Sequence, residues 1–378
     1  MLQKKRPFYI IAHRSNTIDD ARNALDLGAN ALEFDICHHE GTFYVCHSDP
    51  LIYEDIPTVA EYLDGLNTLL TQNDYNLALA IFDLKDNDFD INELVSLIKQ
   101  YISGSKCDGM AILLTHADDV SFITTYTGQY PDVGVGVDES NIPPAELEGI
   151  FKKAGQQHFS YADGITTFLS KPGVFTNITT AQTCAFQNAP ESYKLIYTWV
   201  LTLEGSMCKY LDTYIDGIFV DPPYIEKLKD LVTSHPYNGV YELARHGHNP
   251  YTVPRIPAYR LRIKTRDTFL AGSAAFYVFT LKGSAGTLQS LPFNSHMDGR
   301  LDSGTLTYVA LEGLDIGEVQ SLTVQALTSN VTSDWLPEII TVESNCLAES
   351  VDFIFNDDVS PNEWVSEKTG AVTRSPLS

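Results

Sequence analysis

Eight short apolar runs that alternate with amphipathic stretches constrain the fold of this 378-residue chain more than any other feature. The runs lie between residues 8 and 233 and read FYIIAH, ALEFDI, LALAIFDLK, MAILLTH, DVGVGVD, HFSYADG, KLIYTWVL and DGIFVDPP. Helix-like segments such as TIDDARNALDLG separate them, and several of these segments close on a glycine suited to a helix C-terminus. Because apolar strands joined by helices are typical of a covered parallel sheet, the pattern predicts an α/β fold, a (β/α)8 TIM barrel.

The pattern changes in the last third of the chain. Residues 243–257 carry three prolines without a clear period and are interpreted as a linker. The runs that follow alternate apolar and polar residues between turn residues, which is typical of an antiparallel β-sandwich: YRLRIKT, AAFYVFTLKG, TLTYVALEG, SLTVQALT and EIITVES. The sequence thus predicts a barrel domain over 1–242, a sandwich over 258–368 and a tail over 369–378.

Charge and cysteine content limit the function classes. The formal net charge of −24 disfavours nucleic acids and anionic membranes as partners and favours cationic or zwitterionic ligands. No stretch approaches the roughly 20 apolar residues that cross a bilayer.

Six cysteines are too few for a disulfide scaffold. Cys37 and Cys46 flank a predicted turn at Glu40 and Gly41 and are placed to pair across it; the alternative is that all six are reduced.

Polar side chains end the first three apolar runs. His13 ends the first run, Glu33 and Asp35 the second, and Asp83 and Lys85 the third. Active sites of such barrels lie at the C-terminal ends of the strands. Glu33 and Asp35 are two residues apart and project from one side of a strand, so that Asp83 on the next strand completes a three-carboxylate site. Oxygen ligands of this kind predict a Mg²⁺ site, with Ca²⁺ as the alternative.

Two histidines are expected to lie beside this site. His13 and His47 come from separate segments, and histidine is the side chain best suited to move protons near neutral pH. One would act as nucleophile or base and the other as acid. His38 and His39, in the predicted hairpin, are instead expected to be ordinary structural or surface residues.

The motifs together carry a family resemblance. RPFYIIAHRSNTIDDARNALDLGANALEFDI, followed by VCHSD, IFDLK, ADGIT, YTWV and DGIFVD, resembles the sphingomyelinase D or phospholipase D toxins of sicariid spiders and their fungal and bacterial relatives. These form a branch of the glycerophosphodiester phosphodiesterase-like barrels, and the resemblance covers nearly the whole predicted barrel in order. It implies that His13 and His47 are the catalytic histidines and that Glu33, Asp35 and Asp83 bind magnesium.

The resemblance also implies a substrate site. Lys85 matches a lysine beside the phosphate, and Tyr197 and Trp199 match aromatics lining a headgroup pocket, where a choline would gain cation–π attraction. The alternative is that both aromatics simply fill the barrel core. Asp221 stands where the spider enzymes have an asparagine, which adds a negative charge near the mouth and affects substrate preference. The loop SDPLIYEDIP lacks the cysteine of the disulfide-tied loop found in those enzymes.

Residues 258 to about 345 resemble a PLAT domain, a sandwich found in lipoxygenases and lipases. Such a domain implies that a lipid surface is a partner, and Trp335 is either a membrane-inserting aromatic or a packed sandwich residue.

The function expected from these resemblances is removal of the headgroup alcohol from a sphingolipid or lysophospholipid by a secreted, Mg²⁺-dependent phospholipase D-like enzyme. Attack by the substrate's own hydroxyl, an intramolecular transphosphatidylation, would leave a cyclic phosphate. Two alternatives are a hydrolytic glycerophosphodiester phosphodiesterase and a non-catalytic lipid-binding protein. Glu33 follows His13 by only 20 residues, and the chain returns to a helix at Val59 soon after His47. Both features favour the toxin-like branch.

Overall fold

The structure is a computed structural model and describes these parts of the chain: residues 5–48, 53, 55–102, 107–114, 122, 124–126, 128, 130–137, 142–164, 176–187, 191–211, 213–235, 237–252, 258–273, 275–290, 292–294, 301–312, 315–327, 334–344, 347–357 and 362–377. Within these ranges, no helix is both long enough and apolar enough to cross a membrane.

The first two thirds of the chain form a mixed α/β unit around a curled parallel sheet. Its strands are β1 Arg6–Ala12, β2 Ala31–His39, β3 Thr42–Val45, β4 Leu77–Leu84, β5 Cys107–Leu114, β6 Val133–Val137, β7 Phe159–Gly164, β8 Leu195–Trp199, β9 Gly217–Val220 and β10 Tyr241–Leu243. All eight apolar runs are confirmed as strands. β1 pairs with β9 on one side and with β2 on the other, so the sheet curls back on itself.

Two strands lie outside the predicted eight. β3 pairs antiparallel with β2 through a tight turn whose residues Glu40 and Gly41 have φ of +48° and +77°, as the sequence indicated for this position. β10 adds to β1 in parallel. The predicted hairpin implied β3, whereas β10 has only three residues and produces no recognisable apolar run.

Seven α-helices of at least eight residues lie within the described part of this unit, and most follow a strand of the sheet. They are α1 Ile18–Leu27, α2 Val59–Asn73, α3 Ile91–Ile102, α4 Pro144–Lys153, α5 Thr176–Gln187, α6 Glu204–Leu211 and α7 Ile225–Thr233. α1 begins where the Thr17 side chain accepts a hydrogen bond from the Asp20 N–H, and it ends at Gly28, whose φ of +101° suits glycine. This cap fixes where the segment after β1 turns away from the sheet.

The alternation of side chains along the strands divides the core into two clusters. Phe8 and Ile10 face outward and pack with helix residues such as Leu63. Tyr9 and Ile11 face the other way and pack with strand residues from across the curled sheet. The interior is therefore filled by side chains and forms a packed core.

The segment after β10 covers the N-terminal ends of the strands. The Ala244 carbonyl accepts hydrogen bonds from the Asn30 and Asn76 side chains, each at 2.9 Å. Tyr251 is buried in the inner cluster, and a Cβ added at Gly134 would lie 2.0 Å from its ring. Residues 244–252 of the predicted linker therefore pack against the sheet, whereas residues 253–257 lie outside the described residues.

The last third forms two antiparallel sheets, as the alternating pattern predicted. Their strands are β11 Ala258–Thr265, β12 Phe276–Gly283, β13 Thr287–Gln289, β14 Phe293–Asn294, β15 Leu306–Glu312, β16 Val319–Ala326, β17 Pro337–Ser344, β18 Val351–Ile354 and β19 Ala371–Arg374. One sheet has the order β15-β11-β17-β18 and the other β13-β12-β16-β19, with β14 beside β12. β19 pairs with β16, so residues placed in a tail by the sequence belong to a sheet.

Trp335 lies inside this part of the chain. It has no exposed surface, its indole N–H donates to the Thr265 hydroxyl at 3.1 Å, and its ring packs against Tyr277 and Phe279. A buried indole whose N–H has a partner is a stable core group. The interpretation of Trp335 as a membrane-inserting aromatic is therefore wrong, and the packed alternative holds.

Candidate active site at the ends of the parallel strands

The strand register brings the predicted polar residues together. Ala12 pairs with Leu32 on one side and with Val220 on the other, so the next residue, His13, lies level with Glu33 and Asp221. On the neighbouring pair of strands, Asp35 lies directly opposite Asp83. Residues far apart in the sequence thus meet at one edge of the curled sheet.

Glu33, Asp35 and Asp83 form a buried carboxylate cluster in which one ligand atom from each lies within 4.8 Å of the others. Burial, followed by the charges of Asp35 and Asp83, raises the pKa of Glu33 well above its ordinary value. The Oε1 atom of Glu33 has no hydrogen-bond partner although it is buried. An orphaned carboxylate oxygen beside two other carboxylates fits a divalent cation, because a hard cation takes oxygen ligands and would supply the missing partner.

Lys85 is the nearest cation to this cluster. Its ammonium lies 2.8 Å from Asp35 and 2.5 Å from Asp83. Burial lowers the pKa of Lys85, but the charges of Asp83 and Asp35 outweigh this and raise it to about 12. Burial likewise acts to raise the pKa of Asp35, yet the Lys85 charge and hydrogen bonds lower it overall. One ammonium facing three carboxylates leaves negative charge that a metal ion can balance.

Each of the two predicted catalytic histidines contacts a carboxylate through Nδ1. His13 Nδ1 lies 2.9 Å from Asp221, and His47 Nδ1 lies 3.1 Å from Asp35. An ionised carboxylate only accepts hydrogen bonds, so Nδ1 carries the proton in both rings. The hydrogen bond from His13 is the main cause that lowers the pKa of Asp221.

Arg14 and Asn16 also belong to the site, although the sequence analysis did not single them out. Arg14 has a φ of +54°, its N–H donates to Glu33 at 2.6 Å, and its guanidinium lies 2.8 Å from His47 Nε2. Asn16 donates to the Asp35 carboxylate at 2.7 Å and accepts from the Asp35 N–H at 2.9 Å. Their position directly after His13, in the sequence HRSN, was the available signal.

The two aromatics predicted to line a headgroup pocket lie deeper. Tyr197 has no exposed surface and stacks on Phe219 with ring centres 5.2 Å apart. Phe219 in turn stacks beside His13 at 6.3 Å. Trp199, the last residue of β8, keeps 8% of its surface exposed. Tyr197 thus packs against the ring that stacks beside His13, and Trp199 is part of the same inner cluster, as the core-filling alternative predicted.

The hairpin histidines lie apart from the carboxylate cluster. His38 packs against Phe43 and Phe89, and its Nδ1 lies 2.9 Å from Asp88. His39 is exposed and stacks on Tyr53. Both therefore have ordinary structural contacts.

A disulfide joins Cys37 and Cys46 across the hairpin. The sequence left pairing and reduction equally open, because the choice depends on the distance across the turn. The Cys46 N–H donates to the Asp35 carbonyl at 3.0 Å, and His47 is the next residue. The bond therefore anchors the chain that carries His47. Residues 49–52 and 54 of the loop that follows lie outside the described residues.

Comparison with known proteins agrees with the motifs. Residues 3–107, which include six of the candidate residues, match the family described as Dermonecrotic toxin SPH. Dermonecrotic toxin LbSicTox-alphaIB1a of Loxosceles boneti is 24% identical over 278 residues, covering 65% of this chain and 98% of the toxin. Dermonecrotic toxin LhSicTox-alphaIV1iii of Loxosceles hirsuta is 26% identical over 278 residues, covering 64% of this chain and 98% of the toxin.

Two solved structures are also similar to parts of the chain. A glycerophosphodiester phosphodiesterase from Thermotoga maritima covers 60% of this chain and 100% of its own, at 16% identity and a TM-score of 0.40. Coral 8R-lipoxygenase covers 32% of this chain and 17% of its own, at 18% identity and a TM-score of 0.27. Scores this low do not establish a shared fold.

Proposed function

We propose, because this chain is a relative of the dermonecrotic toxins, that it is a Mg²⁺-dependent phospholipase D-type enzyme. Its substrate would be a choline- or ethanolamine-bearing sphingolipid or lysophospholipid, and it would release the headgroup alcohol. The observation that carries the proposal is the convergence of three buried carboxylates, one lysine and two histidines at one edge of the sheet. The proposal includes the finer fold, a (β/α)8 barrel followed by a PLAT-like sandwich.

The proposed metal ligands are Glu33, Asp35 and Asp83. A bound Mg²⁺, with Ca²⁺ as the alternative, would stabilise the negative charge on the phosphate oxygens. Lys85 holds Asp35 and Asp83 in place and offers a second positive charge for the phosphate. Arg14, whose guanidinium lies at His47 Nε2, brings a further cation to the same place.

The proposed chemistry needs two proton transfers. The substrate's own hydroxyl attacks phosphorus and gives its proton to Nε2 of one histidine, which is neutral before the step. The bond from phosphorus to the headgroup oxygen breaks, and the second histidine, protonated before the step, gives its proton to that oxygen. The products are a cyclic phosphate and a free alcohol. A bound lipid presents its hydroxyl at high effective concentration, whereas water must be recruited and oriented.

A panel of four substrates tests the reaction class. We expect turnover of sphingomyelin, ceramide phosphoethanolamine or lysophosphatidylcholine, with the products identified by mass spectrometry. Turnover of glycerophosphocholine alone would support the glycerophosphodiester phosphodiesterase alternative. Turnover of none of the four in the presence of Mg²⁺ would support the non-catalytic lipid-binding alternative.

The source of the attacking oxygen is tested in ¹⁸O-labelled water. We expect the initial phosphate product to be cyclic and to carry no label, because the attacking oxygen comes from the substrate. As a control, the isolated cyclic product is incubated in labelled water without enzyme, which measures later ring opening. Stoichiometric label in the initial phosphate product would contradict the mechanism and indicate hydrolysis.

Asp221 is proposed to position His13, in addition to any contact with substrate. Its carboxylate holds His13 Nδ1 at 2.9 Å, and Asp221→Leu removes both the charge and the acceptor while keeping a similar size. We expect kcat to fall about 10- to 100-fold with little change in KM, as for other groups that orient a reacting histidine.

The pH dependence of kcat and a control variant at Asp88 test this role of Asp221 further. The hydrogen bond from His13 lowers the pKa of Asp221 below its ordinary value, so the carboxylate is charged throughout about pH 5 to 8. The wild-type kcat should therefore exceed that of the variant at every pH from about 5 to 8. Asp88→Leu, which alters the matched pair with His38, should leave kcat unchanged. Equal losses in both variants would contradict the role of Asp221.

Secretion and contact with a lipid surface complete the proposal. The disulfide between Cys37 and Cys46 supports an oxidising compartment, since cytosolic proteins rarely keep structural disulfides. The antiparallel sheets, which follow the catalytic residues in the chain, are proposed to provide the contact with lipid.

A further inference from the structure

Five large apolar side chains are exposed at one end of the antiparallel sheets, which we call the apolar end. Phe269 is 90% exposed and Leu270 is 70% exposed, and both lie on the loop between β11 and β12. The other three are Phe276 at 37%, Leu306 at 50% and Ile354 at 36%. Exposed apolar side chains are individually common, but a group of them at one end of a domain marks an interaction site.

The strand register shows that these residues share one end. Leu306 pairs with Lys264 near the end of β11, and Lys264 also pairs with Ile339 in β17. Ile339 pairs with Ile354 in β18. Phe276 begins β12, immediately after the loop that leaves β11. Phe269 and Leu270 therefore lie in the β11–β12 loop. The other three apolar residues are the terminal residues of strands that end beside this loop.

The loop that carries Phe269 and Leu270 is held at its base. The Ser303 hydroxyl lies 2.6 Å from the Thr268 carbonyl and 3.2 Å from the Arg266 carbonyl, and the Leu336 N–H donates to the Ala271 carbonyl at 3.0 Å. Leu270 has a φ of +63°, a conformation that is unfavourable for a branched side chain and persists only where its surroundings impose it. The two side chains are thus held away from the core.

We propose that the apolar end inserts into the interface of a zwitterionic lipid surface. The choice of a lipid as the partner rests on the proposed function. The charges at the apolar end and its size are the further arguments, the first against anionic lipid and the second against a protein partner. The chain carries a net charge of −24, which disfavours anionic lipid. At the end itself, Lys264 is paired with Glu338 at 2.9 Å, and the exposed Asp302 lies beside the loop at Gly272, so no surplus of positive charge attracts anionic lipid.

The size of the apolar end favours lipid over a protein partner. A stable protein interface needs about 800 Å² on each partner, with an apolar centre that is broad and closely packed. Here the most exposed side chains are two neighbours on a single loop, with the other three less exposed around them. A narrow projection of this kind fits the acyl boundary of a membrane, where aromatic and leucine side chains partition favourably.

Vesicle binding by the full-length chain tests the inference without any use of activity. The probe is vesicles of phosphatidylcholine, and the variant is Phe269→Ser combined with Leu270→Ser. We expect the partition coefficient to fall at least about tenfold, since each buried apolar side chain contributes that much or more. The matched control is Leu377→Ser, because Leu377 is 62% exposed but lies beyond β19.

A second measurement reports insertion directly. In Leu270→Trp, the indole fluorescence should shift to shorter wavelength when phosphatidylcholine vesicles are added, whereas in Leu377→Trp it should not. No vesicle binding by the wild type, equal binding by the double serine variant, or no shift in Leu270→Trp would overturn the inference. A wild-type dimer that the double variant converts to a monomer would also overturn it, in favour of a second copy of the chain as the occupant.

The inference and the proposed function can fail separately. If the wild type binds vesicles, the double variant does not, and no lipid is turned over, the inference stands and the proposed function fails. If both hold, the double variant should turn over monomeric lysophosphatidylcholine at the wild-type rate and lose activity only on vesicles. Equal loss of activity on both forms of substrate would overturn the inference.

Discussion

Asp35→Asn should lower kcat on lysophosphatidylcholine by at least about 1000-fold, because one carboxylate serves several groups at once. It contacts Lys85 at 2.8 Å and His47 at 3.1 Å, and it belongs to the proposed metal site. The amide keeps the size of the side chain but removes a charge that Lys85 and the metal both need. Choline release measures the effect, and EDTA should remove wild-type activity until Mg²⁺ is restored.

A thermal titration separates loss of metal binding from loss of chemistry. A ligand that binds only the folded state raises Tm, so Mg²⁺ should raise the Tm of the wild type and not that of Asp35→Asn. Asp19→Asn is the control, since Asp19 is an exposed aspartate paired with Arg22. An equal rise of Tm with Mg²⁺ in the wild type and in Asp35→Asn would contradict the metal site.

His13→Gln and His47→Gln should each lower kcat by about 100- to 10,000-fold, the range for a lost proton-transfer group. The double variant should lose little more than the worse single variant, because the two transfers belong to one reaction. Choline release again provides the measurement. His39→Gln, a change on the same side of the molecule that leaves the carboxylate cluster untouched, should keep full activity. Loss below about threefold in either catalytic variant would contradict the assignment.

The strands of the parallel sheet, and the positions of the site residues along them, were predictable from sequence. The apolar runs located eight of the nine parallel strands in the described sheet, and polar residues at their ends located His13, Glu33, Asp35 and Asp83. This worked because a buried strand leaves few places for a charged side chain other than its end. The spacing of two residues between Glu33 and Asp35 also fixed their common side.

Contacts set by backbone conformation or by distant partners were not predictable. Arg14 reaches His47 because its φ is positive, which sequence does not show for an arginine. Trp335 is buried because Thr265, 70 residues away, accepts its N–H. β10 and β19 are too short to carry a pattern and are defined by the strands they join. Asp221 was recognised as a departure, but its contact with His13 follows only from the register of β1 and β9.

The packing of residues 244–252 against the strand ends sets a boundary for dissecting the chain. Asn30 and Asn76 both donate to the carbonyl of Ala244, and Tyr251 fills space that a side chain at position 134 would otherwise occupy. A fragment that stopped at residue 242 would leave both amides without this acceptor and would open the interior to water. The smallest excisable piece that keeps the parallel sheet and the candidate site intact therefore extends through Tyr251. A recombination event that exchanged the C-terminal sheets would be tolerated only downstream of it.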